Sequence, residues 1–259
     1  MDMAELRIIE TNGLRGELKR DEPMRKHVSW RAGGCAECSY APADLDDLAI
    51  FLARLPEHEP LLFMGLGSNL LVRDGGLRGT VVFTHRVLAR FFLEESPGYV
   101  EIYAEAGVPS PKVARLAAVH NLAGAEFFAG IPGTVGGALA MNAGCYGSET
   151  WDAVARVRTI DRAGRIQIRE PYEYAIGYRS VLPLHSADEF FVAAWFHFAR
   201  GNGVEARAKI KELLAKRIAT QPLGEPNAGS VFRNPPDDHA ARLIEASGLK
   251  GKRLGGAEV

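Results

Sequence analysis

The stretch Glu126-Phe-Phe-Ala-Gly-Ile-Pro-Gly-Thr-Val-Gly-Gly-Ala-Leu-Ala-Met-Asn-Ala-Gly-Cys-Tyr-Gly-Ser-Glu149 constrains the fold more than any other part of the chain. It holds six of the 28 glycines and no lysine or arginine. Glycine lacks a Cβ and tolerates positive φ, so such a run lets the backbone approach a bulky ligand closely. Ile131-Pro-Gly-Thr134 reads as a tight turn. Val135 to Ala140 reads as the start of a short helix whose free N–H groups would face an anion. A phosphate or pyrophosphate cradle and a Gly-rich buried turn both satisfy this pattern.

A second glycine cluster, Gly65-Leu-Gly-Ser-Asn69, follows the apolar run Leu61-Leu-Phe-Met64, which reads as a buried strand. Two such loops in one chain suggest two clamps on one long ligand, such as a dinucleotide.

Composition narrows the classes. A chain of 259 residues accommodates one large or two to three small domains. With 31 basic against 32 acidic residues and a pI of about 6.7, there is no electrostatic case for nucleic acid. No apolar run reaches membrane-spanning length, and the acidic, broken N-terminus is not a signal peptide. Three cysteines, an odd number, fit a reducing cytosol better than a disulfide framework, so a cytoplasmic protein is expected; the sequence does not fix an oligomeric state, and a monomer is favoured. Cys35-Ala-Glu-Cys38 has the spacing of a zinc or redox pair. It lacks a second ligand pair and a following helix, so both read as structural thiols. Cys145 reads as a small packing residue. No metal is expected.

In chain order, residues 1–20 read as a helix-like lead. Asp44 can cap a helix over 45–55, with Leu45, Leu48, Ala49, Leu52 and Leu55 on one face. Strands are expected at 61–64 and 81–84, giving a small α/β unit. A second unit begins after Arg90, with an alternating strand at 99–105. Ser110 is expected to cap a helix that carries Pro111 in its first turn and runs from Lys112 to Asn121. His120, at that helix end, reads as a surface or capping residue. Strands at 154–160, 165–169 and 190–198 follow, the first two joined by the turn Asp161-Arg-Ala-Gly164. Tyr172-Glu-Tyr-Ala-Ile-Gly-Tyr-Arg-Ser180 carries three tyrosines and one arginine in what would otherwise be an edge connection.

A composition shift at Arg200-Gly-Asn-Gly203 marks a boundary. The amphipathic helix expected over 204–219 has Ile210, Leu213, Leu214 and Ile218 inward. Ser230 precedes the strand-like Val231-Phe232, and Asp237 can cap a last helix over 238–247, stopped by Gly248.

Gly65-Leu-Gly-Ser-Asn-Leu-Leu-Val72, the Ile131-to-Glu149 block, Gly177-Tyr-Arg-Ser180 and Ala228-Gly-Ser-Val-Phe-Arg-Asn-Pro235, in this order, resemble the UDP-N-acetylenolpyruvoylglucosamine reductase family over residues 25–259. The resemblance implies an α+β fold: a two-lobed flavin domain of the type 2 FAD-binding (PCMH, vanillyl-alcohol-oxidase-like) kind and a partial α+β substrate domain. Residues 1–89 and 90–200 would form the flavin lobes, and 201–259 the substrate unit. It implies FAD and NADPH as cofactors and a UDP-sugar as substrate, in the synthesis of peptidoglycan. Gly65, Gly67, Ser68 and Asn69 would form the first flavin clamp, and Pro132, Gly133, Val135, Gly136, Asn142 and Gly144 the second. Tyr178 and Asn234 would touch substrate, Arg179 would stabilise developing charge, and Ser230 would protonate carbon. The short connection from Ser180 to Phe190 suggests the type II branch.

Two departures stand out. Many members carry a lysine just before the Gln-Pro step, where this chain has Thr220; Lys216, Arg217 and Arg233 are substitutes by position. The family also continues past Gly255-Gly-Ala257 to a catalytic glutamate, and no residue here matches it, so the chain reads as C-terminally truncated, with severely impaired turnover. Two other readings stay open. One is a sugar or hydroxy-acid flavin oxidase of the same fold, although the first loop lacks the histidine or cysteine that usually tethers flavin there. The other is a non-catalytic flavin-binding fragment.

Overall fold

The computed structural model describes residues 12–96, 99–184, 188–227 and 229–259. Its first sheet has the order β1-β2-β4-β3. It is built from β1 (Glu17–Pro23), β2 (Cys35–Ala41), β3 (Leu61–Met64) and β4 (Leu77–Phe83). β2, β4 and β3 run parallel, and β1 closes the edge antiparallel to β2. The helix α1 (Leu45–Arg54) crosses between β2 and β3. Asp44 caps it as expected, accepting the Asp47 N–H at 2.9 Å. Leu45, Leu48, Phe51 and Leu52 form its buried face.

The lead segment departs from expectation. Residues 1–11 lie outside the described residues, and 17–20 form an edge strand rather than helix. Their polar side chains give no strand alternation, so pairing with β2 decides the conformation.

The second sheet is antiparallel throughout, in the order β11-β10-β14-β6-β5. It starts with β5 (Phe91–Ser96) and β6 (Tyr99–Glu105). Next come α2 (Ser110–Val119), the two-residue β7 (Leu122–Ala123), α3 (Val135–Ala140), and the small hairpin of β8 (Gly144–Cys145) and β9 (Ser148–Glu149). The large strands β10 (Val154–Asp161), β11 (Ile166–Arg169) and β14 (Glu189–His197) complete the sheet. Between the last two, β12 (Tyr174–Gly177) and β13 (Ser180–Pro183) form a hairpin of their own. β15 (Ala199–Arg200) pairs with β7. The face of this sheet toward α2 and α3 carries the largest core, which includes Ile102, Val113, Leu122, Phe128, Leu139 and Phe196.

Ser110 is the first residue of α2 rather than its cap. Pro109 occupies the flanking position, and the Ser110 hydroxyl is buried with no hydrogen-bond partner.

A separate core joins the two sheets. Tyr40, Leu48, Phe51, Leu52 and Val82 from the first pack with Ile160 and Val192 from the second, and Phe63 stacks on Phe190 at 4.2 Å. Arg162 adds a hydrogen bond to the Glu59 carbonyl at 2.8 Å.

α4 (Gly203–Thr220) lies on the second sheet's helical layer, with Ala206 and Ile210 inside its core. Leu213 is buried as expected, whereas Ile218 is 69% exposed, because the helix runs past the edge of that layer. After it, Val231 and Phe232 are exposed and form no strand. The last helix, α5 (Ala240–Ala246), is not capped by Asp237: His239 takes the N-cap position without a side-chain cap bond, and Asn234 Oδ1, from further back, accepts the Ala240 N–H at 3.1 Å. Asp237 sits at φ +58°, turned out of capping position. Gly248, at φ +67°, ends the helix. A final hairpin joins β16 (Arg253–Leu254) to β17 (Ala257–Glu258).

Asp47 is fully buried inside the joining core's rim. Burial alone would raise its pKa, but the Arg15 N–H, the Tyr40 hydroxyl and the Ala43 N–H all donate to its carboxylate and hold it below the ordinary value. A depressed folded-state pKa contributes stability above the unfolded-state value that is lost as pH falls through the folded one. Asp47→Asn should therefore cost about 1–3 kcal/mol at neutral pH and flatten the loss of stability between neutral pH and about pH 3. Urea midpoints across that range check this, and equal pH slopes for the two proteins would refute it.

Candidate functional site

The two glycine loops meet. The first leaves the end of β3 and the second precedes α3, and the joining core brings these ends together. A Cβ on Gly65 would run into Thr134 Oγ1, so the loops pack backbone against side chain at that point. Gly67, at φ +62°, rests on the backbone of His27 and Val28, where a side chain would be both strained and blocked. Gly133 faces Ser68 Oγ across the gap. Ser29 donates to the Gly67 carbonyl at 3.2 Å and fixes the first loop from behind.

The expected anion cradle at the start of α3 takes a different form. The Val135 and Gly136 N–H groups are spent on the Val108 and Ala106 carbonyls, each at 2.9 Å. The Val135 side chain lies in the core, so its side chain is no ligand contact. The surface left open consists of Ser68, Asn69, Pro132, Gly133 and Gly137. Two buried hydroxyls without partners, Ser110 and Thr134, flank this surface. Thr134 takes the helix N-cap position yet makes no cap bond, its hydroxyl turned toward Gly65 instead. Sequence reasoning read Thr134 only as a turn residue; its place before a capless glycine helix was the available signal.

Asn142, expected at the flavin, is 2% exposed and its amide bonds to the scaffold. Its amide nitrogen donates to Glu149 Oε2 at 2.7 Å and to the Gly177 carbonyl at 3.2 Å, and its Oδ1 accepts from the Trp151 N–H. The β12–β13 hairpin is thereby tied to the second loop. Tyr178 and Arg179 form its two-residue turn, with Arg179 at φ +54°. The guanidinium donates to the carbonyls of Asn142 at 3.0 Å and Gly144 at 3.1 Å, and lies 5.0 Å from the Tyr178 ring centre. Gly144 has no side chain to stand in its way.

The Ser230 segment comes to the same turn. Arg233 donates to the Arg179 carbonyl at 3.2 Å, and the Asn234 N–H reaches the Tyr178 hydroxyl at 3.4 Å. Ser230 is exposed and its hydroxyl donates to the Phe232 carbonyl. Of the cations near Thr220, Arg217 is committed to the Gly130 carbonyl and Lys216 is exposed. Tyr146 donates to the Leu213 carbonyl at 2.8 Å, joining α4 to the β8–β9 hairpin. Burial pushes the neighbouring Cys145 thiol up, keeping it a neutral packing residue.

A concavity of about 610 Å³ lies elsewhere, between the start of α1, residues 87–90 and β11. Of its charged groups, Arg90 pairs with Glu105, and Asp44 pairs with Arg15 outside it; it holds no residue of the glycine loops. Among the described residues no group of histidines, cysteines and carboxylates could hold a metal, and no helix is long and apolar enough to cross a membrane. Cys35 and Cys38 are free thiols on β2, one exposed and one buried.

A family model described as FAD binding domain matches residues 36–168, which span both glycine loops. A second, described as UDP-N-acetylenolpyruvoylglucosamine reductase, C-terminal domain, matches residues 221–259. The reductase of that name from Nitrosomonas eutropha is 58% identical over 97% of this chain and 77% of its own length. The chain belongs to the UDP-N-acetylenolpyruvoylglucosamine reductase family. The reductase from Nitrosospira multiformis is 57% identical, with 100% of this chain and 80% of the relative covered. Among solved structures, the reductase from Thermus caldophilus superposes with a TM-score of 0.78 at 28% identity, covering 95% of this chain and 85% of that one. A cholesterol oxidase from Brevibacterium sterolicum, at 12% identity and a TM-score of 0.53 over 72% of this chain and 38% of its own, shares the fold alone. The two-lobed α+β flavin fold expected from the motifs is the fold observed.

The residues present fit FAD. The paired loops offer bare backbone, and two buried hydroxyls beside them lack acceptors. Gly137 separates fold from ligand cleanly, since a Cβ there meets nothing nearer than Thr134 Oγ1 at 4.0 Å. Gly137→Ala should hold or raise stability by about 0.5–1 kcal/mol, as in any helix, while lowering FAD retention at least tenfold. Thermal melting of the FAD-free protein and the bound-flavin absorbance check this; undiminished FAD retention would place the cofactor away from α3.

Proposed function

We propose that this chain performs the family's reaction, an NADPH-dependent reduction of the enolpyruvyl group of UDP-N-acetylglucosamine enolpyruvate to give UDP-N-acetylmuramate for peptidoglycan. Residues 1–89 and 90–200 act as the flavin lobes and 201–259 as the substrate unit. The observation that carries the reading is the convergence of the Tyr178-Arg179 turn and the Arg233-Asn234 segment beside the paired glycine loops.

FAD held on these loops would supply the hydride-transfer chemistry between NADPH and the substrate. The chain's own residues do the rest. Ser68, Asn69, Pro132, Gly133 and Gly137 bind the cofactor, while Gly65, Gly67, Val135 and Gly136 shape the loops, and Asn142 and Gly144 position the arginine. Addition of hydride at C3 of the enolpyruvyl group throws an electron pair onto C2 and its carboxylate. Arg179 faces that developing charge with a guanidinium held by two main-chain carbonyls, so little reorganisation is needed as the charge grows. Ser230 delivers the proton to C2. A neutral hydroxyl is a weak acid, so this step depends on the strongly basic enolate next to it. Tyr178 and Asn234 orient the substrate, and Lys216 is the cation left free to meet its diphosphate.

The first measurement is the visible spectrum. The purified protein should be yellow, NADPH should bleach it, and the enolpyruvyl UDP-sugar should perturb the flavin band on binding. Arg179→Lys keeps the charge but loses the fork, and should leave bleaching by NADPH unchanged while slowing substrate reduction about 10²–10³-fold. A yellow protein indifferent to the UDP-sugar would sink the substrate assignment.

A further inference from the structure

Glu149 has no role in the reaction as described so far, yet it stands closest in charge to its central cation. Its Oε1 lies 3.9 Å from Arg179 Nη1, and the two side chains are 36% and 30% exposed. It is the carboxylate paired with Arg179 among the described residues. Its position is fixed from two sides. Oε2 accepts the buried Asn142 amide at 2.7 Å, and the same side chain caps the 3₁₀ turn Thr150–Ala153 by accepting the Asp152 N–H. The Asp152 carboxylate in turn accepts the Glu149 N–H at 2.8 Å. The carboxylate is therefore held next to the guanidinium by the scaffold, not by the ion pair itself.

We propose that Glu149 is the built-in counter-charge of Arg179, a positioning and specificity-determining residue that makes an incoming carboxylate compete for the guanidinium. Its physical basis is the unequal hold on Arg179. The two main-chain carbonyls fix the plane of the guanidinium through hydrogen bonds of 3.0 and 3.1 Å. Glu149, at 3.9 Å, adds charge without a close hydrogen bond, so it offsets the cation without occupying its donors. A ligand carboxylate therefore meets an Arg179 charge already partly offset, and a fixed like charge beside it, so it binds less tightly than it would to the bare cation; the same sugar without a carboxylate is indifferent to both. The inference rests on the reaction proposed above, since it needs a carboxylate-bearing substrate at this turn.

The test is titration of the FAD-loaded protein, read from the flavin absorbance, with UDP-N-acetylglucosamine enolpyruvate and with UDP-N-acetylglucosamine, which lacks the carboxylate. Glu149→Gln removes the charge and keeps one carbonyl oxygen to accept from the Asn142 amide, while the Asp152 carboxylate still accepts the N–H of residue 149. It should bind the enolpyruvyl form about three- to tenfold more tightly and leave the affinity for UDP-N-acetylglucosamine unchanged. Glu149→Asp, which retains the charge, should keep the wild-type ratio between the two ligands. A purely structural capping role would shift both ligands together or neither. Equal changes for both sugars, an unchanged ratio in Glu149→Gln, or loss of FAD in Glu149→Gln would each overturn the proposal. The wild-type titration separates the two readings. If the unaltered protein shows no preference for the enolpyruvyl form, the reaction assignment fails. If it shows the preference and Glu149→Gln does not sharpen it, only the role of Glu149 fails.

Discussion

Everything at the site depends on one apolar junction. Tyr40, Leu48, Phe51, Leu52 and Val82 on the first sheet share a core with Ile160 and Val192 on the second. Interiors pack at crystal-like density, so this shared core fixes the spacing of the sheets to a fraction of a side chain. The ends of β3 and the start of α3 then fall within contact distance. Gly65 can touch Thr134, and Gly133 can face Ser68, only because that spacing is set elsewhere. A single core common to both lobes turns two separate loops into one binding surface.

The reactive side is assembled by a different kind of force. Asn142 is buried and uses its whole amide to link the second loop, the Glu149 turn and the β12–β13 hairpin. Such a network is costly when broken and rigid when satisfied, because each buried donor or acceptor has its partner. Arg179 profits from that rigidity. It sits at a positive φ in a two-residue turn, a backbone conformation that favours small residues, and its guanidinium reaches back to the Asn142 and Gly144 carbonyls that follow α3. Strain of this kind is tolerated where the surroundings over-determine the conformation. Here pairing of Gly177 with Ser180 and the Asn142 contact do so.

The glycine loops, α1 with its Asp44 cap and the three long strands of the second sheet were legible because each has a strong local signal: a turn, a cap or an alternating run. The edge strand β1 was not, since its residues take their conformation from β2 rather than from their own pattern. The network that Asn142 builds was not legible either, because residue order does not report which groups an amide reaches. The start of α3 misled for a related reason. A glycine-rich helix start resembles an anion site, but the Val108 and Ala106 carbonyls, supplied by a distant turn, had already taken its first two N–H groups. Glu149 was invisible for the opposite reason, since its significance lies in Arg179, thirty residues away in sequence and beside it in space.

The weakest physical link in the site is the segment that carries Ser230. Among the described residues after Thr220, only Ala240 is buried. Apolar burial therefore contributes little to where this segment sits, and Phe232 is left 64% exposed. Its registration against the rest comes from polar contacts at one place, Arg233 on the Arg179 carbonyl and Asn234 on the Tyr178 hydroxyl. Hydrogen bonds of that exposed kind contribute about 0.5–1.5 kcal/mol each, far less than the cores beneath the two sheets. The functional elements thus divide by stability. The cofactor loops and Arg179 stand on rigid, buried supports, while the proposed proton donor stands on a locally weak one, where contacts to a bound ligand would make up a large share of what holds it in place.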